Sequence, residues 1–120
     1  MQAANQQIPN PTRGIFLIDT GASTTAVDES LITPLAINPI GATQIHTPST
    51  NGNPQHCFQY DVMLFIPPAG PGEMGHIVES LPVTAINLSN QGIHGLIGRD
   101  VLEKCVLVYN GTLNLYTLSF

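Results

Sequence analysis

Ile15-Phe16-Leu17-Ile18-Asp19-Thr20-Gly21-Ala22-Ser23 joins an apolar run to a loop of small residues, and its reading decides the fold of the chain. Four consecutive apolar residues followed by Asp-Thr-Gly predict a short strand that ends in a tight turn. Residues 24–27 predict the next strand. Asp28-Glu29 then supplies an acidic start for a short helix through about residue 35, which Pro34 limits.

Outward from this segment, ten prolines and eleven glycines cut the chain into short apolar runs. No run keeps a helical period for long, so the chain reads as mostly β with one or two short helices. Strands are predicted at residues 43–46 and 56–65, on either side of a polar stretch whose Asn51-Gly52 step is a hairpin-turn signal. Residues 67–72 form a loop, and 77–81 and 83–88 read as two further strands. Gly95-Leu96-Ile97-Gly98 resembles the entry to a second strand-to-helix turn, with a helix over 99–104 and a strand over 106–109. A hairpin turned at Asn110-Gly111 leads to a last strand, 113–118, whose apolar residues alternate. Residues 1–14 are polar and read as a tail or added edge strand, leaving 15–120 as one domain. The runs 16–21 and 94–99 share an architecture: two apolar residues, a tight turn, a short helix.

Composition narrows the partners. At 120 residues and 12.8 kDa, with 42% hydrophobic and 9% charged residues, the chain has the means to bury a core and lacks the make-up of a disordered segment. Arg13, Arg99 and Lys104 are its only basic residues against eight acidic ones, so neither nucleic acid nor an anionic membrane surface is an expected partner. Apolar stretches of about five residues fall far short of the roughly 20 needed to span a bilayer, and the first residues carry no targeting signal, which predicts a cytoplasmic chain. Cys57 and Cys105 are too few and too isolated for a disulfide framework or a metal knuckle. His46, His56, His76 and His94 lack ligand spacing, so no metal and no cofactor is expected. Ser23 has no nucleophile elbow around it.

Taken with the hairpin at 46–54 and the Gly95-Leu96-Ile97-Gly98-Arg99 segment, the Asp19-Thr20-Gly21-Ala22-Ser23 loop resembles that of the retropepsin-like aspartic peptidases, the single-domain relatives of pepsin. The order of motifs matches over residues 15–110. The resemblance implies a closed acid-protease, barrel-like fold with a flap hairpin, and an endopeptidase, cytoplasmic or released from a virion polyprotein. Asp19 is then catalytic, with Thr20, Gly21 and Ala22 as its support. By matched position, Leu17, Ile93, His94 and Leu96 line the pockets beside it, and Gly98 and Arg99 brace the loop. His46, Thr50, Asn51 and Gly52 belong to the flap, which closes over an extended peptide or protein substrate. Two departures stand out. Pro48, Thr50, Asn51 and Pro54 replace a glycine-rich flap tip, and Ser23 stands where retroviral members carry the aspartate that pairs the arginine. Asp28 is the candidate partner for Arg99.

Peptide hydrolysis by such a site needs two carboxylates that share a proton and hold one water. Asp28, Asp61 and Asp100 do not repeat the motif, so the second carboxylate must come from Asp19 of another copy in a two-fold homodimer. The competing expectations are a non-catalytic dimerisation or peptide-binding module of the same fold and a peptidase activated by concentration.

Overall fold

The computed structural model describes residues 10–45 and 55–120. Its chain runs through strands β1 (Phe16–Ile18) and β2 (Ala26–Asp28), helix α1 (Glu29–Ile32) with a 3-10 turn at Thr33–Leu35, and β3 (Gly41–Ile45). Next come β4 (Gln55–Ile66), β5 (His76–Ile86), a 3-10 turn at Ser89–Gln91, β6 (Gly95–Ile97) and helix α2 (Arg99–Leu102). The last two strands are β7 (Val106–Asn110) and β8 (Leu115–Ser119). The fold is mostly β with two short helices, as composition and patterning predict. Among the described residues, no helix is long and apolar enough to cross a membrane.

The scaffold is the long antiparallel pair β4–β5. Alternation decides its faces: Tyr60, Val62, Leu64 and Ile66 turn inward, while Asp61, Met63 and Phe65 are exposed. The register shifts between Val62 and Leu64, which pair with Leu81 and Val78, so β5 carries one extra residue there and this bulge keeps Leu81 and Val78 both on the core side. From β5 the sheet grows through β2 and β6 to β1, giving the order β1-β6-β2-β5-β4-β3. Val27, Ile32, Leu81, Val83, Ala85, Ile97 and Val101 form the core against its inner face.

Three expectations need correction. The ladder ends at β1 on one side and β3 on the other, so it does not close into a barrel among the described residues. Residues 77–81 and 83–88, expected as two strands, are the single strand β5. Pro82 is tolerated within it because β2 pairs with β5 only from Thr84 onward, and a proline beside an open edge leaves no ladder bond unmade there. The turn expected at Asn110-Gly111 is longer than two residues: β7 ends at Asn110, whose side chain accepts the Leu113 amide at 3.0 Å, and Asn114 takes the left-handed conformation at φ 53°.

Strands β7 and β8 stand apart as a two-stranded sheet. Leu107 and Leu118 pair on the partly buried face, but Val106, Val108, Tyr109, Leu115 and Tyr116 are all about half exposed or more. Phe120 beyond β8 stacks on His76 at the start of β5, with ring centroids 4.7 Å apart.

Asp28 caps α1, as its sequence position predicts. Its carboxylate accepts the Ser30 amide at 3.0 Å and, across the fold, the buried Leu88 amide at 2.6 Å. The Ser30 side chain first, then the Leu88 and Ser30 amides, hold this carboxyl below its ordinary range against the opposing effect of burial, and His94 adds a smaller lowering. A lowered folded value means that the stabilisation is complete above the unfolded value near 3.9 and is lost as pH falls through the folded one. Asp28→Ala is therefore expected to cost about 2–4 kcal/mol near neutral pH, from a lost cap and a stranded buried amide. Urea unfolding should show the gap to the wild type narrowing below about pH 4; an equal gap at both pH values would contradict the assignment.

Candidate active site

Strand β1 is apolar throughout and lies parallel to β6, with Phe16 beside Gly95, Leu17 beside Leu96 and Ile18 beside Ile97. Phe16 and Ile97 face the core, which leaves Leu17 and Leu96 together on the opposite face, Leu17 being half exposed. Both strands stop at the same level. The Asp19 amide adds one more bond to the ladder, donating to the Ile97 carbonyl at 2.9 Å.

The chain then turns tightly. The Ala22 amide donates to the Asp19 carbonyl at 3.2 Å, and the Gly21 amide donates to Asp19 Oδ1 at 3.0 Å. A Cβ on residue 21 would sit 3.3 Å from that same oxygen, so glycine lets the backbone amide approach the carboxylate without crowding. Asp19 itself is partly exposed, and Thr20 and Gly21 are exposed.

Residues 98–100 grip the turn from behind. The Arg99 amide donates to the Ala22 carbonyl at 2.8 Å, and Arg99 Nη1 donates to the Thr20 carbonyl at 2.8 Å. Asp28, the partner expected for Arg99, is engaged with Ser30 and Leu88 instead. Arg99 thus holds the loop through a backbone oxygen and not a carboxylate. Gly98 is buried between the backbone of Thr24 and Ala22.

Sequence reasoning missed one part of this cluster. Asp100 accepts the Thr25 amide at 3.0 Å through Oδ2 and the Thr25 hydroxyl at 2.7 Å through Oδ1; that hydroxyl in turn accepts the Gly98 amide at 3.1 Å. The two residues lie 75 positions apart, and no local signal pairs them.

Of the expected pocket residues, Leu17 and Leu96 adjoin the Asp19 turn. Ile93 and His94 lie at the other end of β6. His94 ties the chain there: its amide donates to the Ile15 carbonyl at 2.7 Å, its Nδ1 accepts the Ile15 amide at 3.0 Å, and its carbonyl accepts the Asp28 amide at 2.7 Å. His46, Thr50, Asn51 and Gly52, expected in the flap, lie outside the described residues.

A separate groove of about 320 Å³, lined by Ile32, Ile37, His56, Cys57, Phe58 and Tyr60 among others, shares no residue with the turn. Burial, with a smaller contribution from Glu29, pushes the Cys57 thiol up, which makes it a poor nucleophile. Among the described residues, no group of three or more His, Cys, Asp and Glu side chains is arranged to hold a metal ion.

Chemically, the site offers one carboxylate on an exposed, braced turn with apolar side chains beside it. The other aspartates are committed elsewhere: Asp28 to α1 and Leu88, Asp61 to the Ser80 hydroxyl at 2.7 Å, Asp100 to Thr25. Comparison of the chain with protein-family models, curated proteins and solved structures returns no match.

Proposed function

We propose that the chain is a retropepsin-like aspartic endopeptidase whose catalytic pair consists of Asp19 from each of two copies. The observation that carries this reading is the Asp19 turn held level with the end of β6 by Ile97, Gly98 and Arg99, with the carboxylate left accessible.

In the dimer, two Asp19 side chains face each other across the two-fold axis and share one proton. The ionised one takes a proton from the water as it attacks the peptide carbonyl carbon, while the protonated one donates to the carbonyl oxygen. Collapse of the tetrahedral diol returns a proton to the leaving amine and breaks the C–N bond. Leu17 and Leu96 favour apolar residues next to that bond.

Dimerisation is supported by surface the monomer leaves uncovered. A two-stranded sheet is barely stable alone, yet β7–β8 exposes Val106, Val108, Tyr109, Leu115 and Tyr116.

Turnover of an extended peptide with apolar residues at the cleaved bond is expected to rise with nearly the square of protein concentration below the dimer dissociation constant. Excess Asp19→Asn chains should poison wild-type activity by forming mixed dimers. Activity that stays proportional to protein at every dilution, with a monomer in the ultracentrifuge, would sink the shared site.

A further inference from the structure

Thr25 has no exposed surface, and every polar group on its side chain is assigned. Its hydroxyl donates to Asp100 Oδ1 and accepts from the Gly98 amide, so the hydroxyl cannot rotate without breaking one of the two bonds. Asp100 accepts from the same residue with both oxygens, which fixes the plane of its carboxylate.

We propose that Thr25 and Asp100 are positioning residues that set the placement of Asp19. The proposal rests on the peptidase reading above. The Asp19 turn is tied at its start to Ile97, through the Asp19 amide, and at its end to Gly98, through the Thr25 hydroxyl. Ile97 and Gly98 are consecutive, so both ends of the loop are fastened to one point on the end of β6. A loop held this way moves with the strand as a unit. Two carboxylates that must meet across a symmetry axis need that unit, because any error in one loop is repeated in its partner. Misplacement by about 1 Å is enough to cost about a hundredfold in rate.

The bland alternative is that the buried Thr–Asp pair only holds the fold together. The two differ in where a substitution is felt. Thr25→Val keeps the shape and removes the hydroxyl; Thr25→Ser keeps the hydroxyl. Asp100→Asn keeps an oxygen for the Thr25 amide but loses the second acceptor.

The three variants are compared with the wild type by amide hydrogen exchange, thermal melting and peptide turnover. Thr25→Val is expected to speed exchange at the Asp19, Ala22 and Arg99 amides by about tenfold or more, from the loss of bonds to a charged group, with β4 and β5 amides unchanged. Its kcat should fall about a hundredfold with KM within about threefold, the split expected when placement and not binding is lost. Thr25→Ser should restore both, and Asp100→Asn should lie between. If Thr25→Val does not fold, Asp100→Asn alone carries the test. Loop amides that exchange as slowly as in the wild type in a folded variant, or an unchanged kcat, would overturn the proposal. A wild type without Asp19-dependent turnover would overturn the peptidase reading; the exchange measurement needs no turnover and would still decide whether the loop is fastened by this pair.

Discussion

Asp19→Asn is expected to lower cleavage of an extended peptide by about a thousandfold or more while leaving the melting temperature close to that of the wild type. The size of the effect follows from what the proposed reaction asks of the residue. In the homodimer one substitution removes both members of the pair, so neither the base that activates water nor the acid that protonates the carbonyl survives. The small stability effect follows from the local geometry. Among the described residues, Asp19 Oδ1 accepts only the exposed Gly21 amide, and an Asn oxygen can accept it equally well. Cleavage by the variant at the wild-type rate would end the catalytic assignment. A collapse of the melting temperature would show that the carboxylate has a structural duty not visible in the turn.

Gly98→Ala is expected to destabilise the fold by about 3 kcal/mol or more, a melting shift of about 10 °C or more. Backbone conformation is not the cause, since Gly98 has φ −92° and ψ −176°, which any residue adopts. Space is. A Cβ there would lie 2.5 Å from the Thr24 carbonyl oxygen, 2.6 Å from its carbon and 3.1 Å from the Ala22 oxygen. All three are main-chain atoms, so no rotamer change relieves the clash and the turn must move away from β6. Turnover should fall further than stability alone accounts for, because the displaced segment carries Asp19. Gly41→Ala is the control: its Cβ would meet only the Gln59 side chain at 3.5 Å, and its effect should stay within about 0.5 kcal/mol. A Gly98→Ala protein that melts like the Gly41→Ala control would contradict the close approach of β6 to the turn.

The parts of this fold that the sequence made legible are those with a local cause. Phe16–Ile18 is apolar and stops at Asp-Thr-Gly, so both strand and turn could be read. Asp28 precedes a helix and caps it, because the capping bond spans two residues. Neighbour relations were not legible in the same way. Alternation in β4 tells which face is buried but not that β6 slots between β1 and β2. The partner of Arg99 was misjudged for a related reason. A long guanidinium reaches carboxylates and carbonyls alike, and only the placed backbone shows that the Thr20 oxygen is nearer to hand. Thr25 and Asp100 escaped notice because each looks ordinary alone: one a strand residue, the other an acid at the start of a short helix. Pro82 misled in the other direction, since a proline usually ends a strand and here stands where β5 lacks one neighbour.

The grip of residues 97–100 on the Asp19 turn also governs the order in which the molecule can come into being. Strands β4 and β5 are close in sequence and can pair early, whereas the contacts that complete the turn join residues separated by 73 to 79 positions and must await a costly loop closure. On a ribosome, residues 10–90 emerge with Asp19 present but with no β6 for it to lean on. The carboxylate is thus made first and seated last, once the final quarter of the chain brings β6 and Arg99 into place.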